Sequence, residues 1–287
     1  MSFIATRVAN LSEIIKGFQF VQATIGPNQE ILLLTSDDSS RYRVQVLTPT
    51  GWQLALSLAP TSRRFSFVQP LPGGSLLVVE SRLWPDRSPN AYIFDKVGND
   101  IASFVAGDGI EHVQTTLNGA IWIGYFDEGV YGSSEFGSAG LVCLDSTGQP
   151  LLRYAQDIAE PNALPFIDDC YALNVANEDE AWTSYYSCFP LVKLRARRLD
   201  RSWLDWPAKA VRAFAVNENR LLMVPAYRRE GPFHSVDLQT TTISEIPIVD
   251  EANQPIEFDV SFARGPLLCL VSLQGDKPLY SIDLRSS

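Results

Sequence analysis

Short apolar runs recur along the chain, among them Ile31-Leu32-Leu33-Leu34, Leu76-Leu77-Val78-Val79, Ile121-Trp122-Ile123-Gly124 and Leu221-Leu222-Met223-Val224. Between them lie shorter stretches that alternate apolar and polar residues, bounded by Gly, Pro, Asn and Asp. Runs of this length with such boundaries predict strands, and windows with helical periodicity are scarce. The strands fall into a repeating cycle of four, labelled a to d. The unit around Leu117–Tyr154 shows it most clearly, with a Gly-started strand, a long polar loop, and two strands joined at Leu144-Asp145-Ser146-Thr147-Gly148.

Similar corners occur at Leu47-Thr48-Pro49-Thr50-Gly51 and Phe94-Asp95-Lys96-Val97-Gly98. With Asp200, Asp237 and Asp283 added, successive corners lie 47, 50, 55, 37 and 46 residues apart. That period is close to the roughly 40–50 residues of a four-stranded propeller blade. A side-chain oxygen at each corner can accept a backbone N–H just downstream and fix the turn. In the fourth unit strand c is expected over Leu191–Leu199, with its corner at Asp200. The sixth unit ends one strand short, whereas the N-terminus carries a surplus strand over Ser2–Val8 that can complete it and leave no open edge. The expectation is an all-β, six-bladed β-propeller of four-stranded antiparallel blades, a single domain over 1–287 closed by the N-terminal strand, with seven blades as the alternative.

Gly119-Ala120-Ile121-Trp122-Ile123-Gly124 and Pro72-Gly73-Gly74-Ser75-Leu76-Leu77-Val78, with the Asp-x-x-Gly corners, resemble hairpins of the NHL, streptogramin-lyase-like and gluconolactonase-like propellers. The likeness covers most of the chain as a repeat pattern and concerns architecture, not activity. The WD40 subgroup is not resembled, because the Trp-Asp pair closing strand c is missing. Lactonase-like relatives hold a divalent cation such as Ca2+ in the channel through Glu, Asn and Asp oxygens. That resemblance implies Glu111, Asp168, Asp169, Asn174 and Glu257 as candidate ligands.

Composition narrows the functional classes. Of the 287 residues 46% are hydrophobic and 20% charged, which suits a soluble folded domain. Thirty-three acids against 23 Lys and Arg give a net charge of −10. That speaks against nucleic acid and for a basic partner, if there is one. No leader and no membrane-spanning run are visible, so a cytoplasmic location is expected. Cys143, Cys170, Cys188 and Cys269 lack metal-binding spacing; a hairpin at Asn177–Glu180 would set Cys170 near Cys188, and free thiols are expected in a reducing compartment.

No nucleophile-elbow, phosphate-loop, dinucleotide or zincin motif is present, and neither His112 nor His234 has a partner legible in sequence. The basic run Lys193–Arg198 reads as a solvated strand face bearing Lys193, Arg195 and Arg197. Propellers bind at the channel and on the loops, so residues at the starts of strands a and in the b–c loops are the candidates. These are His112 and Arg212 at the channel mouth, Tyr125, Phe126, Asp127, Glu128 and Tyr131 in the loop running to Gly140, Trp84 in blade two and Tyr227 in blade five. The first expectation is a non-catalytic module that binds a protein or ligand without a cofactor. The alternative is a metal-dependent hydrolase or lactonase.

Overall fold

The uninterrupted apolar runs become the second strand of each blade, for a reason rooted in blade packing. Each blade stands between two others, so strand b is covered on both faces and has no polar side. Residues Leu76–Glu80 and Ile121–Tyr125 are buried at every position, whereas the outer strand Asp100–Phe104 is almost wholly exposed. In the computed structural model, which describes residues 2–84, 89–204, 208–226 and 233–286, these strands form six four-stranded antiparallel sheets.

Blade 1 comprises Gln19–Ile25, Ile31–Ser36, Tyr42–Thr48 and Gly51–Ser57, and blade 2 comprises Phe65–Pro70, Leu76–Glu80, Ala91–Phe94 and Asp100–Phe104. Blade 3 is built from Ile110–Thr115, Ile121–Tyr125, Leu141–Leu144 and Pro150–Arg153. Blade 4 is built from Asp169–Val175, Glu180–Tyr186, Leu191–Arg195 and Arg198–Trp203. Blade 5 follows with Val211–Asn217, Arg220–Pro225, Phe233–Asp237 and Thr242–Ile246. Blade 6 takes Val260–Arg264, Leu267–Val271 and Pro278–Asp283.

The outer strand of blade 6 is Thr6–Asn10, antiparallel to Pro278–Asp283 with Thr6 opposite Ser281 and Asn10 opposite Pro278. The expected closure by the N-terminal strand is therefore present. Just before it, Phe3–Ile4 pairs in parallel with Ile248–Val249 and ties the same segment to the exit of blade 5. Among the described residues, six clusters of buried side chains fill the seams between consecutive blades, the last joining Leu33 of blade 1 to Cys269 and Val271 of blade 6. Burying one such aliphatic side chain is worth about 1.5–3 kcal/mol. Stability is thus distributed around the ring.

The corners form as their chemistry dictates. Asp95 accepts the amides of Val97 and Asn99, each at 2.9 Å, and Asp145 accepts those of Thr147 and Gln149 at 2.8 and 3.0 Å. The side chains of Asn99 and Thr147 are the leading causes that hold the two carboxyls below the ordinary Asp value. The fourth corner differs from expectation. Strand c ends at Arg195, not Leu199, and the chain reverses through Ala196 and Arg197, both at positive φ (47° and 58°). Asp200 lies within strand d, where the register shifts, and pairs with Lys193 and Arg195 at 3.6 Å each. Glu180 also pairs with both cations, so that basic face is neutralised within its own blade. Strand a of blade 6 starts at Val260, which leaves Phe258 ahead of it.

Candidate channel-mouth site

Strands a begin, and strands b end, on one face of the ring, and that face carries the b–c loops. Glu111 and His112 stand at the start of strand a of blade 3, Asp169 and Tyr171 in blade 4, and Arg212 in blade 5. A register shift occurs at each of these places, between Ile110 and His112, Asp169 and Ala172, and Val211 and Ala213. Such bulges re-aim side chains at the rim of a sheet. They accompany a pocket of about 480 Å³ lined by Glu111, Phe126, Asp127, Asp169, Tyr171, Arg212 and Ala226.

The long loop after strand b of blade 3 is a packed element. A short helix over Asp127–Val130 and a 3-10 turn over Gly137–Ala139 fold it back onto the ring. The Phe126 amide donates to Gly109 O at 2.9 Å, and the Tyr125 amide to Gly140 O at 3.0 Å. Gly129 lies so close that a Cβ there would meet Asp108 O at 2.4 Å, and a Cβ on Gly137 would meet Gly129 O at 2.1 Å. Arg82 of blade 2 clamps the loop by bonding both Asp108 and Glu128. Tyr131, although exposed, donates to Asp168 Oδ1 and spans to blade 4. Phe126 and Asp127 are thereby held at the pocket.

The expected site residues separate into groups. Phe126, Asp127, Arg212, Glu111 and Asp169 line the pocket together. Tyr125 closes strand b and is fully buried, with its hydroxyl on Ala106 O, and burial raises its pKa well above the usual value. Glu128, Tyr131 and Asp168 brace the loop. His112 is half-buried, and burial lowers its pKa to about 4 against the backbone of Tyr171 and Cys170, so it is neutral at pH 7. Trp84 is 41% exposed beside Arg64, outside the pocket lining, and Glu257 is exposed ahead of blade 6. Tyr227 lies outside the described residues. Cys188 is exposed beyond the end of strand b, whereas Cys170 is buried near Thr183, and both are free.

The pocket's charges act on one another. Burial, then Glu111 and Asp127, raise Asp169 to about 6, and burial raises Glu111. Among the described residues no three potential ligands gather in a geometry able to hold a metal ion. Of the four acids implied for a divalent cation, Glu111 and Asp169 share the pocket. On the blade 5 side, Arg212 donates from Nε to Pro225 O at 3.2 Å and places its guanidinium 5.6 Å from the Phe258 ring. Tyr171 packs on Tyr186 and Phe189.

The opposite end of the channel is closed by Arg264, Gln114 and Asn174, of which sequence reading singled out Asn174 alone, as a candidate cation ligand, whereas its side-chain amide is bonded to backbone groups of blades 5 and 6. Arg264, 2% exposed, bonds Ile25 O of blade 1 at 3.0 Å, Gln69 Oε1 of blade 2 at 3.2 Å and Thr115 O of blade 3. Gln114 reaches Leu173 O and Ala263 O, and Asn174 reaches Phe214 O and Gly265 O. Burial lowers Arg264 to about 10, so the floor stays cationic at neutral pH. The one hint in sequence was a lone arginine in an apolar strand just before Gly265-Pro266.

Residues 141–280 match a family model described as the YxzG family. No curated protein sequence matches the chain. In shape it is similar to a chain of a mitotic checkpoint complex (TM-score 0.57, 7% identity, covering 93% of this chain and 78% of that one). It is also similar to Hsv2 of Kluyveromyces lactis (0.55, 10%, 93% and 74%). A functionally unknown protein from Desulfotomaculum acetoxidans is similar too (0.54, 10%, 94% and 84%). At such identities these likenesses establish the shared fold, a six-bladed β-propeller here, and nothing finer.

Proposed function

We propose that the chain is a non-catalytic, cytoplasmic binding module whose loop face and channel mouth receive a protein partner with a basic contact surface. The observation that carries this reading is the 480 Å³ pocket, with three carboxylates and two aromatic rings on a face braced by a clamped loop. A recess of this kind suits an inserted side chain, because aromatic anchors supply much of the energy in protein interfaces. The net charge of −10 favours encounter with a basic surface. A chain of the same shape occurs within the mitotic checkpoint complex, so the architecture is compatible with assembly.

Affinity capture from the native host tests the reading. A partner recovered by the wild-type chain is expected to be lost with Phe126→Ala and with Glu128→Lys, the latter reversing the charge that Arg82 clamps. Equal recovery by all three chains would refute the loop face as the docking surface.

A further inference from the structure

The outer strand of a blade is paired on one side alone, and such an edge recruits other strands unless charges or prolines guard it. Four of the six outer strands are guarded. Arg198–Trp203 carries Arg198, Asp200 and Arg201, Thr242–Ile246 carries Glu245, and Thr6–Asn10 carries Arg7. Pro150–Arg153 begins with proline and ends in an arginine paired with Glu135. The outer strand of blade 2 differs. Its one charge, Asp100, is paired with Arg63 at 3.2 Å, and Ile101-Ala102-Ser103-Phe104-Val105 carries none. Ile101 is 57% exposed and Val105 40%, and Val97, at the corner before the strand, is 81% exposed, the highest value for a large apolar side chain among the described residues. At the Val105 end the rim holds a cavity of about 280 Å³, lined by Phe104, Val105, Glu135, Phe136 and the blade 3 corner at Thr147–Gln149. Blade 1 also has an uncharged outer strand, Gly51–Ser57, but it exposes Leu54 alone among its large apolar residues.

We propose that this edge binds a second copy of the chain about a twofold axis at Ser103, with the two blade 2 outer strands antiparallel and Val97 of each copy in the rim cavity of the other. The edge is complementary to itself in this register. Ile101 lies opposite Val105 of the other copy and Ala102 opposite Phe104, so exposed apolar residues meet and no two charges face each other. A slip of two residues would set Ile101 against Ser103 and lose that match. Val97 precedes the strand and Val105 follows it, so the antiparallel direction carries the corner of one copy to the cavity end of the other. Lys96, exposed beside Val97, arrives there at Glu135, and the charges are complementary. In a chain with a net charge of −10, copies approach most readily along a flank without free acids. Stable interfaces bury roughly 1,200 Å² or more, and the two corner contacts add to what a short pair of strands covers. The contact is isologous and closes on itself. It lies on the outer rim, so both channel mouths stay open.

Sedimentation velocity of the full chain between about 1 and 100 μM reads this association directly. The chain is expected to pass from monomer to dimer with no larger species, because twofold closure consumes the edge. Ile101→Lys and Val97→Asp should each weaken the dimer by about tenfold or more, whereas Leu54→Lys on blade 1 should leave it unchanged. All three positions are exposed, and a thermal melt of each variant verifies that it is folded. Ser103→Cys tests the register, in a Cys188→Ser background that removes the exposed native thiol. Two cysteines facing each other across the axis lie within disulfide reach, so mild oxidation should give a covalent dimer, and Leu54→Cys in the same background should not. A monomer across the whole concentration range would overturn the inference, as would a dimer that survives both Ile101→Lys and Val97→Asp. Loss of the dimer with Leu54→Lys but not with Ile101→Lys would move the contact to blade 1 and overturn it as well.

Discussion

Asp169 is the residue at which site chemistry and fold stability meet. A carboxyl whose pKa is raised on folding binds its proton more tightly when folded than when unfolded. Its contribution to stability is therefore complete below pH 3.8 and is lost as pH rises through about 6. At neutral pH the ionised group works against the fold, as binding-site charges commonly do. Asp169→Asn should accordingly raise the melting temperature at pH 7.5 by about 2 °C, a discounted figure because water screens this half-exposed group. The gain should vanish near pH 4, and a melt series across pH checks it. His112, lowered to about 4, acts with the opposite sign, adding stability as pH rises from there to its ordinary value of 6.5. A gain for the Asn variant that is the same at pH 4 and pH 7.5 would remove Asp169 from the charged cluster.

At the scale of elements, the fourth corner shows what local sequence reveals and what it hides. Asp95, Asp145, Asp237 and Asp283 mark corners because each side chain captures downstream amides, and that chemistry is legible from composition. In blade 4 the reversal uses Ala196 and Arg197 in left-handed conformations that these residues only tolerate, so nothing in their identity announces a turn. The double substitution Ala196→Asn with Arg197→Gly should stabilise the chain by about 1 kcal/mol in chemical denaturation, since two-residue hairpins of this kind favour asparagine followed by glycine. No gain would mean that the reversal is fixed by the Lys193, Arg195, Glu180 and Asp200 pairs instead. Within the site, Glu111, Asp169 and Arg212 were legible because the repeat places the starts of strands a at the mouth. Tyr125 reads as a loop residue because the last residue of a strand and the first of a loop look alike in sequence. The Arg264 floor depends on groups of three other blades, a contact no local pattern encodes.

For the whole molecule, closure of the ring by Thr6–Asn10 couples the two ends of the chain. Phe3 and Ala5 are buried in the seam between blades 5 and 6, and Pro278–Asp283 would be an open edge without the N-terminal strand. Deleting residues 2–10 should lower the melting temperature by about 10 °C or more and produce larger species in size-exclusion chromatography, because an unpaired edge recruits other strands. An unchanged melt and elution would show that the ring holds without this strand. The same closed ring, plugged below by Arg264, leaves the loop face as the way into the pocket. Hydrogen exchange of the chain with and without its captured partner reads the location of binding directly. Protection is expected at residues 108–112, 126–131 and 168–172, with the outer strands Asp100–Phe104 and Arg198–Trp203 unchanged. Protection of those outer strands, with the loop face exchanging as in the free chain, would contradict binding at the channel mouth.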